Sequence, residues 1–175
     1  MRKVLILCAA FLLSGCVATG PIDTRTGDES ITTQGLFQSA SWRAQGQMIF
    51  RCAYDEKGFF WQFVRPEGTL YDKTGRRQAV LQANFAITAH DGSMLHARIV
   101  EQGQQESPRN LRTVTFETTS EGKGLLADVR YVVRQQAVGG MPLVTCSAAQ
   151  RGQLLKVPFR AQYIFYRQNL AAQRN

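Results

Sequence analysis

Residues 47–64, QMIFRCAYDEKGFFWQFV, decide how this chain folds. From Gln47 to Tyr54 the side chains alternate, Met48, Phe50, Cys52 and Tyr54 on one side and Ile49, Arg51 and Ala53 on the other. That is the period of a strand, and it turns Cys52 toward a core. Asp55-Glu56-Lys57-Gly58 is a turn signal, and Phe59 to Val64 returns as a second strand, aromatic on both faces: Phe59, Trp61 and Phe63 opposite Phe60 and Val64. The pair reads as a hairpin whose second strand is central.

The same punctuation continues outward from this hairpin. Asp72-Lys73-Thr74-Gly75, Asp91-Gly92-Ser93 and Ser120-Glu121-Gly122-Lys123-Gly124 are turn signals with β-rich flanks. They predict that Phe85 to His90 pairs with Met94 to Val100 and that Leu111 to Thr118 pairs with Leu125 to Arg134. Gln135 to Gly152 has no period and reads as a long loop carrying Cys146. Leu154 to Val157 and Phe159 to Arg167 close the domain as strands, with Phe159, Ala161, Tyr163 and Phe165 on one face. No long stretch has helical amphipathicity and no internal repeat is evident. The expected fold is all-β: an antiparallel β-sandwich or partly closed barrel with one disulfide.

The beginning of the chain is of another kind. Arg2 and Lys3 precede a short apolar run, Val4 to Leu13, which has the length of a signal-peptide core and is too short for a bilayer span of roughly 20 residues. Leu13-Ser14-Gly15-Cys16 then resembles the lipobox of bacterial lipoproteins. The resemblance implies cleavage before Cys16 and attachment of diacylglyceryl and acyl chains such as palmitate there. Residues 1–15 are thus expected to be a signal peptide, 16–34 the lipidated cysteine with a flexible tether, and 35–175 a single β-rich domain. The tether is rich in Gly, Pro, Thr, Asp and Ser, and about 20 such residues span on the order of 25 Å as a coil. Val17 resembles the residue found after the lipid-bearing cysteine of lipoproteins released to the outer membrane, where the domain would face the periplasm.

Processing also simplifies the cysteine and charge counts. Cys8 leaves with the signal and Cys16 carries lipid, so Cys52 and Cys146 remain and are expected to pair in an oxidising compartment. A bridge 94 residues long stabilises by roughly 4–5 kcal/mol in the chain-entropy model. The competing reading, a metal or redox pair, lacks CxxC spacing and a nearby His. The mature chain has 19 basic residues, 15 of them Arg, against 13 acidic ones. Guanidinium groups bind phosphate and carboxylate bidentately, so anionic lipid or cell-wall polymer is an expected partner, with Arg76 and Arg77 as candidate anion-binding residues. The competing reading places Arg51, Arg65, Arg98, Arg112, Arg130, Arg134 and Arg160 as solvated positions on strand faces.

No catalytic signature, phosphate loop or dinucleotide fingerprint is found, and no cofactor, metal or nucleic acid is expected. His90 and His96 flank the Asp91-Gly92-Ser93 turn; a three-residue loop would set His90 opposite Met94 and Thr88 opposite His96, the two imidazoles diagonal on one face. That arrangement suits a polar hairpin surface better than a metal site. Asp128 beside Arg130 reads as half of a cross-strand ion pair. An aromatic set including Phe63, Phe85, Tyr131, Tyr163 and Phe165 supplies mostly core, with any exposed part open to glycan, lipid or protein.

Taken in order, QMIFRCAY, PEGTLYDKTGR, HDGS, GLLADVRYVVRQQAVGGMP, Cys146 and VPFRAQYIFY resemble the bacterial and fungal family of domain of unknown function 3455, over about residues 46–167. The most specific pieces are the Arg-x-x-x-x-Gly-Gly stretch and VPFRAQYIFY. The resemblance implies a secreted β-domain with a cysteine pair and no established catalytic residues. The chain departs from the family pattern at Gln78, where members have His, at Ala83-Asn84-Phe85 in place of Gly-Pro-x-Trp, and at Arg112-Thr113-Val114-Thr115 in place of Trp-Leu-Leu. The expected function is that of a membrane-anchored envelope lipoprotein acting as a non-enzymatic binding or structural module. The alternative is an envelope hydrolase or small-ligand carrier.

Overall fold

The structure, a computed structural model, describes residues 35–168. The expected signal peptide and the whole of the expected tether, Cys16 included, lie outside the described residues. Eight strands run in chain order around a closed antiparallel barrel: β1 (Leu36–Asp55), β2 (Gly58–Tyr71), β3 (Arg77–Leu81), β4 (Ile87–Ala89), β5 (Met94–Gln102), β6 (Val114–Glu121), β7 (Val129–Gly139) and β8 (Leu154–Gln168). Of the two expected architectures the barrel is the one found. Closure is made by β1 and β8, paired from Leu36 opposite Gln168 to Arg51 opposite Leu154. Every strand therefore has two neighbours and the ring has no free edge.

The interior is filled by alternate residues. Trp42, Ala44, Met48 and Phe50 of β1 face Phe159, Ala161, Tyr163 and Phe165 of β8, with Leu70, Leu81, Ile87, Leu95, Val114, Phe116 and Val132 from the other strands. β1 starts eleven residues before the alternation that announces it, because its first half puts only Trp42 and Ala44 inside. Gly46 sits opposite Gly68 at a close crossing: a Cβ there would lie 2.0 Å from the Glu67 carbonyl oxygen, so no side chain fits. The two expected C-terminal strands are one, β8 running through Pro158 without a break.

Three further expectations are corrected. Phe85 belongs to a one-turn 3-10 segment, Ala83–Phe85, and both Asn84 and Phe85 have left-handed φ, so β4 is only three residues long. The β4–β5 loop is His90-Asp91-Gly92, closed by the Ala89 N–H donating to Ser93 O at 2.9 Å. Thr88 accordingly faces Met94, which removes His90 from the strand face and abolishes the diagonal imidazole pair. Tyr54, expected on the core side, lies beyond the barrel, 59% exposed and packed on Phe59 with ring centroids 4.8 Å apart.

Candidate functional site

Strand polarity sorts the connections into two sets. The β2–β3, β4–β5 and β6–β7 turns share one end of the barrel with the start of β1 and the end of β8. There Asp91 accepts from Ser93 Oγ at 2.6 Å, Ser93 N at 3.0 Å and Leu125 N at 2.6 Å, while Ser93 Oγ accepts from Leu126 N, so one carboxylate joins two turns. Asp72 accepts from Thr74 N and Oγ1, Arg76 N and Gln78 Nε2. These bonds stabilise the ionised form and hold both carboxyls down at about 2, led by the Thr74 hydroxyl for Asp72 and the Ser93 hydroxyl for Asp91.

The opposite end carries the long connections, residues 103–113 between β5 and β6 and 140–153 between β7 and β8. The Cys52–Cys146 disulfide, with Cα atoms 5.9 Å apart, ties the second loop to β1. Gly139 and Gly140 tie the first to β7. The Gly139 N–H donates to Asn110 Oδ1 at 2.9 Å, the Leu111 N–H to Gly139 O at 3.0 Å, and the Gly140 N–H to Pro158 O at 2.9 Å. Gly140 has φ +93°, and a Cβ on it would lie 2.5 Å from Leu111 Cγ; backbone conformation and space both demand glycine. The glycine pair of the Arg-x-x-x-x-Gly-Gly stretch is thus the seat of Leu111.

Between these loops and the strands is a cavity of about 210 Å³. Ile99, Leu111, Val114 and Met141 give it apolar walls, and Gln102, Gln105, Arg112 and Arg134 are its polar lining. Gln105 is engaged, donating to Asn110 O at 2.9 Å. Arg134, the arginine of the same stretch, is the residue that the solvated-face reading misplaces: it is 6% exposed. A bulge explains this. Val129 pairs with Arg167 but Tyr131 with Tyr166, leaving Arg130 as an extra residue on β7. The strand's faces exchange there, and Val132 and Arg134 turn inward.

Inside, Arg134 sits between Val114 and Tyr163 on the flanking strands. Its Nη2 donates to Arg112 O at 3.1 Å, and its guanidinium carbon lies 5.9 Å from the centre of the Phe116 ring. Nε has no well-aligned acceptor, and the Tyr163 hydroxyl lies against the same guanidinium. Burial pushes the Tyr163 phenol up from its ordinary value, an effect the neighbouring Arg134 charge opposes. None of the ion pairs among the described residues involves Arg134. Phe116 continues into a row of rings, Phe85 at 5.2 Å, Phe63 stacked on Phe85 at 5.6 Å and Phe50 edge-on at 5.7 Å. Ala83-Asn84-Phe85, where the family pattern differs, therefore supplies a member of this row.

The other expected site residues are not brought together with this cavity. Arg76 and Arg77 are exposed in the β2–β3 turn region at the opposite end, and the Arg76 side chain, 80% exposed, has its Nε 3.5 Å from Asp72 Oδ2. His96 Nε2 lies 3.2 Å from Glu121 Oε2 and Arg98 pairs with Glu117 on the barrel's outer wall. No group of three metal-ligating side chains occurs among the described residues. Asp128 makes none of the ion pairs among the described residues: it lies just before β7 with φ +59°, and its N–H donates to Ser120 Oγ at 3.2 Å. No helix among the described residues is long and apolar enough to cross a membrane.

Fold and site define a class: a closed eight-stranded antiparallel barrel, stapled by one disulfide, with an unpaired cation under one end. Residues 84–167 match the family model described as Protein of unknown function (DUF3455), the family that the sequence resembles. The match begins in the 3-10 turn and includes Arg134, Gly139, Gly140, Cys146 and all but one residue of β8. No curated protein and no solved structure matches the chain.

Proposed function

We propose that this chain is a membrane-anchored envelope lipoprotein whose barrel is a non-enzymatic binding module, holding a small ligand in the cavity beneath the disulfide-tied loop. The observation that carries the reading is the way the cavity is built. Two glycines that admit no side chain fix the loop forming one wall, and the lining sets four apolar side chains beside four polar ones able to orient a ligand. Anchoring rests on Leu13-Ser14-Gly15-Cys16 and on Val17, which favours the outer membrane with the domain in the periplasm. Arg76 and Arg77 are exposed at the end of the barrel where β1 begins, a placement suited to anionic lipid or cell-wall polymer.

Filling the cavity tests the binding role. In a thermal-shift screen of small organic compounds, at least one is expected to raise the melting temperature of the wild type but not of Leu111→Trp. A screen in which none does, or in which the variant responds equally, overturns the reading. Anchoring is checked by fractionation: Cys16→Ala is expected in the soluble fraction, while the wild type remains membrane-bound with an acyl mass increment. A wild type without that increment overturns the lipoprotein assignment.

A further inference from the structure

We propose that Arg134 is the receptor for a carboxylate, and that the ligand of the cavity is a small monocarboxylate with an apolar body; this rests on the binding role given above. The argument begins with the cost of the apo state. A buried cation is expensive unless paired and hydrogen-bonded, yet Arg134 meets only the Arg112 carbonyl and the Tyr163 hydroxyl, and no carboxylate among the described residues pairs with it. The structural uses of the charge are weak and all uncharged: one carbonyl, one phenol hydroxyl and one ring at 5.9 Å. What is missing is an anion, and the group lines a cavity.

The chemistry of that anion follows from its surroundings. One guanidinium balances one negative charge, whereas a dianionic phosphate would leave an excess charge against Ile99, Leu111, Val114 and Met141. The planar fork of an arginine matches a carboxylate through two parallel bonds. Nε is unpaired and able to contribute one of them. A volume of about 210 Å³ is below that of drug-sized sites, so the apolar body is short. Arg112 supplies the carbonyl that steadies Arg134 and is itself exposed, so the charge that meets the ligand in the interior is that of Arg134.

Titration of the folded wild-type domain with benzoate, read at the arginine Nε–Hε resonance of Arg134 by NMR, tests this. Benzoate is expected to shift that resonance saturably and to bind on the order of 10-fold or more tightly than its neutral isostere benzamide. Binding should weaken as the pH falls through the carboxyl pKa of benzoic acid, and Arg134→Gln should erase the preference over benzamide. Equal affinity for benzoate and benzamide overturns the proposal, as does a response to inorganic phosphate without one to benzoate. Should neutral compounds bind in a Leu111→Trp-sensitive manner while no carboxylate moves the Arg134 resonance, the carboxylate assignment falls and the binding role stands. If no compound enters the cavity, both fall. The wild-type titration decides the matter even if Arg134→Gln does not fold.

Discussion

The two ends of the barrel are held by different chemistry. At the end of short turns, Asp72 and Asp91 collect hydrogen bonds from several turn residues each, and the one buried nitrogen left without a partner there, among the described residues, is Nε of Arg167, whose Nη2 donates to Leu125 O. At the end of long loops, a covalent bond and a glycine pair hold the chain, and they hold it around a space containing an orphaned Nε. One end closes its turns with carboxylate hydrogen bonds, and the other holds its loops by steric and covalent constraints around a cavity that Arg134 lines. Preorganisation of this kind costs stability and is kept where a ligand later supplies the missing partner.

The comparison is broken most severely at the disulfide. Cys52→Ala with Cys146→Ala should lower stability by about 2–5 kcal/mol, and hydrogen exchange should rise first in residues 140–153, with the short-turn end still protected. Uniform loss of protection would mean that the two ends are not separately held. Gly140→Ala comes next. The left-handed φ costs about 1–3 kcal/mol and the new Cβ displaces Leu111, so a denaturant titration should show that loss together with loss of small-ligand response.

Acid acts on the other end. The carboxyls of Asp72 and Asp91 sit at about 2 in the fold against 3.8 ordinarily, so the stability they contribute is fully present above pH 3.8 and is lost as the pH falls toward 2. Asp91→Asn should flatten this part of the pH–stability profile. A profile as steep as that of the wild type would show that the two-turn clasp is not what titrates. The smallest effect is expected from Arg76→Glu with Arg77→Glu. These are exposed positions, so folding should change by no more than about 0.5 kcal/mol. Co-sedimentation with anionic vesicles or sacculi should weaken and become less salt-dependent.

Much of this architecture is legible in the sequence wherever period 2 is uninterrupted. Phe159, Ala161, Tyr163 and Phe165 all lie in the core as their alternation predicts, and the Asp-led turns fall at the short connections. Legibility ends where one residue is added to a strand. From Val129 to Arg134 the pattern Val129, Tyr131, Val133 reads as the buried face, yet the bulge at Arg130 exchanges the faces and buries Arg134. The signal available was the pair of valines at 132 and 133 with arginines on both sides, which no single parity accommodates. The first half of β1 escaped for another reason: Ser39, Ala40, Ser41 and Gln45 have little strand propensity, and β8 rather than local preference makes them extended.

The pairing of Arg51 with Leu154 and of Leu36 with Gln168 also fixes the timing of folding. Synthesis delivers β1 long before β8, and contacts between segments so far apart must wait for the intervening chain and its loop-closure entropy. Early hairpins can form, but no ring can close until the last strand arrives. The polypeptide consequently stays open until its last strand is available and becomes a locked object only then, with the loop cysteine reaching its partner as β8 approaches.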